Sequence, residues 1–144
     1  GVTFVEYRRR VTRSMGAAAD TLLLDVQEAL TRRSGRWLLV RHTQSWVQMP
    51  VVPVALDSLA LDAFVGRYQI APGYVDDVHW EGGGLVATAS GQTVGARLVP
   101  VSGSGFSPDG VGALMVFERD AAGRVTGYVQ GYANGTVVRA SRLP

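Results

Sequence analysis

The chain has no cysteine. This excludes a disulfide framework, a thiolate zinc site and a cysteine nucleophile. Lysine is also missing, since all fourteen basic residues are arginine. A Ser-x-x-Lys nucleophile motif therefore cannot be present. No Gly-x-Ser-x-Gly elbow occurs, and the only histidines are His42 and His79. No apolar run approaches the roughly 18 residues needed to span a bilayer. The most apolar linker, Val51 to Leu61, is broken by Pro53 and Asp57.

One-signed charge is also scarce. The net charge is +2 in 144 residues, although the pI is near 9.4. Residues 1–58 carry a net +3 and residues 59–144 a net −1. The excess sits mainly in Arg8, Arg9, Arg10 and Arg13. One short cluster with little aromatic interleaving reads as a solvated strand face rather than a nucleic-acid footprint. We therefore expect no nucleic-acid partner. The all-arginine usage is consistent with the codon bias of a GC-rich genome.

What is present is β-forming, and at 47% hydrophobic residues the chain can bury a real core. Residues Val2 to Arg13 alternate. Val2, Phe4, Glu6 and Arg8 fall on one side, and Thr3, Val5, Tyr7, Arg9 and Val11 on the other. Gly16 is the expected reversal. Thr21 to Arg33 fits a helix capped by Asp20 or Thr21, or a strand with Leu22, Leu24 and Val26 inward; we favour the strand. A four-residue turn at Arg32–Gly35 then leads into a third strand, Arg36 to Trp46. Strict alternation there places Trp37, Leu39, Arg41, Thr43 and Ser45 on one face, and Leu38, Val40, His42, Gln44 and Trp46 on the other. The chain opens on GVTFVEY, already in a strand pattern and without a signal-peptide profile. We therefore expect residues upstream of Gly1, and the compartment stays open.

After Pro50 and Pro53 the texture changes. Asp57 or Ser58 can cap a short helical turn through Leu59, Leu61 and Phe64. Strands are expected at 67–70, 75–81, 85–90, 93–101, around Phe106, and at 113–119, 124–132 and 136–143. Turn signals separate them, and Asn134-Gly135 predicts a two-residue type I′ hairpin. About eight short antiparallel strands suggest a barrel, which removes exposed edges. The fold class is thus mainly β: a three-stranded antiparallel sheet over 1–49, a proline-containing linker over 50–58, and a barrel over 59–144.

Two resemblances refine this. Ala19-Asp20-Thr21-Leu22-Leu23-Leu24, Gly35-Arg36-Trp37-Leu38-Leu39-Val40-Arg41-His42 and Ser45 resemble the C-terminal half of the ketosteroid isomerase/nuclear transport factor 2-like superfamily, particularly its SnoaL-like branch. That resemblance implies a curved sheet facing a pocket. A second set follows in order: Leu61-Asp62-Ala63-Phe64-Val65-Gly66-Arg67-Tyr68, Gly84-Leu85, Leu98-Val99-Pro100, Phe106, and Val116 to Gly127. Together these residues resemble the small lipocalin-like β-barrel domain found behind beta-lactamase-type serine hydrolase domains. This resemblance implies an accessory barrel rather than a catalytic one.

Candidate site residues follow from both units. His42 could act as a general base, since its unperturbed pKa lies near neutrality, with Gln44 and Trp46 beside it. Asp25 or Glu28 could orient its ring if the register allows. In the second unit Tyr68, Trp80, Phe117, Tyr128 and Tyr132 could line a barrel interior holding a small apolar ligand, with Gln130 between two of them on one face. Otherwise these rings simply fill the core. Asp77, His79 and Glu81 share a strand face. At about 3.3 Å per residue they span too far to converge on one ion, so no metal site is expected. Gly82-Gly83-Gly84 lacks the spacing and the following helix of a phosphate loop. No cofactor is called for.

The leading expectation is a non-enzymatic small-molecule-binding or accessory interaction module. The rival is a SnoaL-like isomerase, cyclase or hydrolase using His42 as general base. A homo-oligomer formed through the N-terminal sheet is also expected, burying Phe4, Leu22 and Leu24.

Overall fold

The computed structural model describes residues 1–16, 18–48 and 50–144, leaving out the side chains of Val47 and Gln48. The protein is mainly β. Strands Val2–Met15 (β1), Ala18–Arg33 (β2) and Arg36–Gln48 (β3) form an antiparallel sheet in that order. A short helix, Ser58–Asp62 (α1), follows; the Asp57 side chain caps it by accepting from the Ala60 N–H at 2.7 Å. Eight strands then close into an antiparallel barrel. They are Gly66–Ala71 (β4), Tyr74–Glu81 (β5), Gly84–Ala89 (β6), Ala96–Pro100 (β7), Gly105–Pro108 (β8), Ala113–Arg119 (β9), Val125–Tyr132 (β10) and Val137–Arg142 (β11). Pairing of β11 with β4 closes the ring. Among the described residues no helix is long and apolar enough to cross a membrane.

The ambiguous stretch from Thr21 is a strand because it is the central strand of its sheet. Leu22, Leu24 and Val26 alternate into one buried face, which a period of two satisfies and a helix would not. Three local expectations are corrected. The turn after β2 has two residues rather than four. Arg33 pairs with Arg36, and Ser34 and Gly35 both take positive φ, at 48° and 79°. That combination matches the right-handed twist of long strands. Conversely, Asn134-Gly135 does not make a two-residue turn. Only Gly135 has positive φ, and the Tyr132 N–H donates to the Thr136 carbonyl across a longer loop. Residues 93–95 are not strand; β7 begins at Ala96.

A bulge corrects the faces of β3. Glu28 pairs with His42 and Ala29 with Arg41, but Leu30 pairs with Leu39. One residue of β3 is therefore unmatched, and the alternation shifts by one. Trp37 and Leu39 consequently join His42, Gln44 and Trp46, and Leu38 moves to the opposite face. The register also separates Phe4 from Leu22 and Leu24. Phe4 pairs with Ala29 on the polar face and is 77% exposed, while Leu22 and Leu24 are already buried on the other face. The three therefore cannot enter one interface together.

The barrel interior is packed over most of its length. Phe64, Tyr68, Phe106, Phe117 and Tyr128 interlock, with ring centroids 4.7–5.8 Å apart. Phe64, just past α1, closes one end, where the Tyr68 hydroxyl donates to its carbonyl at 2.6 Å. Burial pushes the Tyr68 phenol up to about 12, partly offset by Arg142 and Arg119. The other end, near the start of β5 and the end of β10, stays open.

The N-terminal sheet docks against the outside of the barrel at β8, β9 and β10. Three glycines permit the close approach. A Cβ on Gly112 would lie 2.2 Å from the Trp46 ring, one on Gly131 would lie 2.9 Å from Met15 Sδ, and one on Gly105 would lie 2.3 Å from Ala18 Cβ. Arg13 clamps the contact. Its Nη1 donates to the carbonyls of Gly112 and Gly131 at 2.7 and 2.9 Å, while its Nε and Nη2 grip the buried carboxylate of Asp20.

Candidate functional site

The open end of the barrel holds a cavity of about 190 Å³. Its position follows from strand parity. On β5, Asp76 and Val78 point inward, with Val78 in the packed core and Asp76 one step nearer the mouth. On β10, Tyr128, Gln130 and Tyr132 point inward in the same way. The innermost, Tyr128, is fully buried, Gln130 lies above it, and Tyr132 reaches the rim half-buried. Ile70, Ala87, Ala89, Met115 and Val138 supply apolar parts of the wall, Gln92 adds a second amide, and Tyr74 lies at the rim.

Two buried polar groups form the floor. Asp76 is 8% exposed, and its Oδ2 accepts the Tyr128 hydroxyl in a short hydrogen bond. Burial raises the Asp76 pKa, and the bond from Tyr128 partly opposes that rise. The Tyr128 phenol moves up as well, through burial, then its hydrogen bond to Asp76 and the Asp76 charge, and burial raises Tyr132. Gln130 is 5% exposed, and its side-chain amide has no hydrogen-bond partner among the described residues. Among the described residues no fully buried side-chain polar atom lacks a partner, so the Gln130 amide opens onto the cavity, where a group entering from outside can reach it.

The Asp76 shift has a testable sign. The unfolded carboxyl titrates near 3.8, and the folded one titrates higher. Between those values the folded state holds more protons, so its stability falls as pH rises through that window and then levels. Asp76→Asn keeps the shape and an acceptor for Tyr128 but cannot ionise. Its stability relative to the parent should therefore increase from pH 3 to pH 7, read from urea midpoints. A difference that does not change with pH would mean the buried carboxyl carries no such cost.

The sheet carries a second polar group. His42 Nδ1 lies 3.2 Å from Glu28 Oε1, which the Tyr7 hydroxyl approaches at 3.4 Å, and His42 Nε2 lies 3.5 Å from Gln44 Oε1. Glu28 is thus the carboxylate opposite His42, while Asp25 lies on the other face, paired with Arg8 at 2.5 Å. The His42 side chain is 42% exposed; it shares the face of Leu22, Leu24 and Val26 but lies further along the sheet, past the part that is buried. Trp46 lies at the base of the sheet against Gly112.

The remaining sequence candidates fall elsewhere. Tyr68, Phe117 and Tyr128 belong to the packed core, and of the named aromatics Tyr132 alone lines the cavity. Trp80 is 40% exposed because β5 has passed the closed end by that point; its indole N–H donates to Asp62 at 2.5 Å. His79 lies between Asp77 and Glu81 on the outer face, at 3.8 and 3.5 Å. Among the described residues no group of three or more His, Asp or Glu side chains could hold a metal ion.

Asp76 was missed from the sequence as a site residue. The available signal was parity: placing Asp77, His79 and Glu81 outward puts Asp76 and Val78 inward. No protein-family model matches the chain, no curated protein matches it in sequence, and no solved structure matches it in fold.

Proposed function

We propose that the protein is a non-enzymatic small-molecule-binding module of lipocalin-like design, with its site at the open mouth of the barrel. One observation carries this reading: the cavity ends on the Asp76 carboxyl and on the Gln130 amide, whose polar atoms open onto it with no hydrogen-bond partner among the described residues. A core selected only for stability would carry apolar side chains at both positions, since holding a carboxyl and an amide away from bulk water costs folding free energy. At about 30 Å³ per water the cavity has room for roughly six waters, so the ligand, or the part of it that enters, is compact.

Fragments of this size should shift the backbone amide resonances of residues around the mouth and raise the melting temperature of the protein. Ala89→Leu, which extends a side chain into the cavity opposite Asp76, should abolish both effects while the barrel stays folded. Fragment shifts that persist in Ala89→Leu, or that map away from the mouth, would rule this site out.

The SnoaL-like enzyme reading draws support from the Glu28–His42 pair, in which the carboxylate sits where it would orient the ring. A general base also needs a site that excludes water, and the exposed His42 ring is less well enclosed than Asp76. The same sheet presents Val5, Tyr7, Trp37 and Leu39 exposed. This supports the accessory role as an interaction surface for a second copy of the chain; a monomer by sedimentation velocity removes that part.

A further inference from the structure

From the chemistry of the mouth cavity we infer that its ligand is a small protonated amine, bound by Asp76 and Gln130. This inference rests on the mouth being a binding site and adds the chemical class of what it binds.

Charge decides first. Among the described residues Asp76 is the one acidic residue lining the cavity, and no arginine or histidine lines it. An anion would meet the Asp76 carboxyl with no cationic side chain in the lining to neutralise either charge. A cation would instead relieve the cost of holding Asp76 ionised.

Hydrogen-bond capacity decides next. Tyr128 occupies Oδ2 of Asp76, while Oδ1 has no partner among the described residues. The Gln130 amide oxygen is likewise free. Two free acceptors in one small cavity match a donor with several N–H groups, which an ammonium has and a quaternary ammonium lacks. The burial that raises the Asp76 pKa is consistent with a carboxylate that ionises fully when a cation pairs with it. Tyr74 and Tyr132 also line the cavity, and aromatic rings attract cations. The apolar wall then takes a short alkyl chain.

Three probes of matched size test this: n-butylammonium, n-butanol and butyrate. Each is titrated at pH 7 into the intact protein and read by amide chemical shifts at the mouth. We expect n-butylammonium to bind at least tenfold more tightly than n-butanol, and butyrate not to bind. In Asp76→Asn the ammonium should fall to the level of the alcohol, while alcohol binding holds. Gln130→Leu should weaken the ammonium more than the alcohol. Alcohol binding as tight as ammonium binding, or an ammonium preference that survives Asp76→Asn, would overturn the cation assignment and leave the binding site standing. No response to any probe would overturn both.

Discussion

Arg13→Ala is expected to cost about 3–5 kcal/mol and to loosen the three-stranded sheet from the barrel. The reason is what Arg13 leaves behind. The Asp20 side chain has no solvent exposure, and its Arg13 partner is 13% exposed. With the guanidinium gone, a carboxylate remains in the interior with its charge unmatched. The carbonyls of Gly112 and Gly131 lose the same donor. Arg13→Met together with Asp20→Leu should be far less destabilising than Arg13→Ala alone, because the pair is then replaced by apolar groups rather than broken. Urea denaturation of the two variants separates these cases. Equal losses would mean that the contact depends on Trp46, Met15 and Ala18 rather than on the ion pair. Gly112 follows Val111, which lines the mouth cavity, so the docked sheet also supports one side of the candidate site.

Phe117→Ala should destabilise the barrel by a similar amount, about 3–5 kcal/mol. Phe117 lies at the centre of the aromatic cluster, with ring centroids 4.7 Å from Phe64, 5.4 Å from Tyr68, 5.5 Å from Phe106 and 5.8 Å from Tyr128. Truncation opens a cavity and removes several ring pairs, each worth about 0.5–1.5 kcal/mol beyond its buried area. Phe117→Leu, which preserves more of the volume, should cost much less. The comparison also tests where the barrel is hollow. Were a ligand cavity to run as deep as Phe117, the alanine variant would enlarge it at little cost to the free protein. A small loss in Phe117→Ala, by melting or urea, would therefore contradict the filled interior.

The sequence was most readable where one pattern served one purpose. Short alternating runs between Gly, Pro and Asn turns have few stable outcomes other than an antiparallel sheet curling on itself, and β4 to β11 adopt that outcome. Leu22, Leu24 and Val26 could be read as one inward face because a period of two and a buried central strand agree. It was least readable where a single residue changed the count. The bulge opposite Ala29 and Leu30 moves Trp37 and Leu39 across the sheet, and no residue type announces it.

The candidate site shows the same division. Tyr128, Gln130 and Tyr132 share a face by alternation alone, so their common direction belongs to the sequence. Their depth does not. Whether an inward residue fills the core or lines a cavity depends on its distance from the closed end of the barrel. That end is set by α1 and Phe64, which are more than sixty positions away in the chain. Tyr128 therefore became part of the core, Tyr132 part of a rim, and Trp80, beyond the closed end, a surface residue. Alternation is local, carried by each residue's own backbone geometry, and one strand suffices to read it. Depth and closure are properties of eight strands packed together, so only the tertiary structure could place Asp76 and Gln130 in one small cavity.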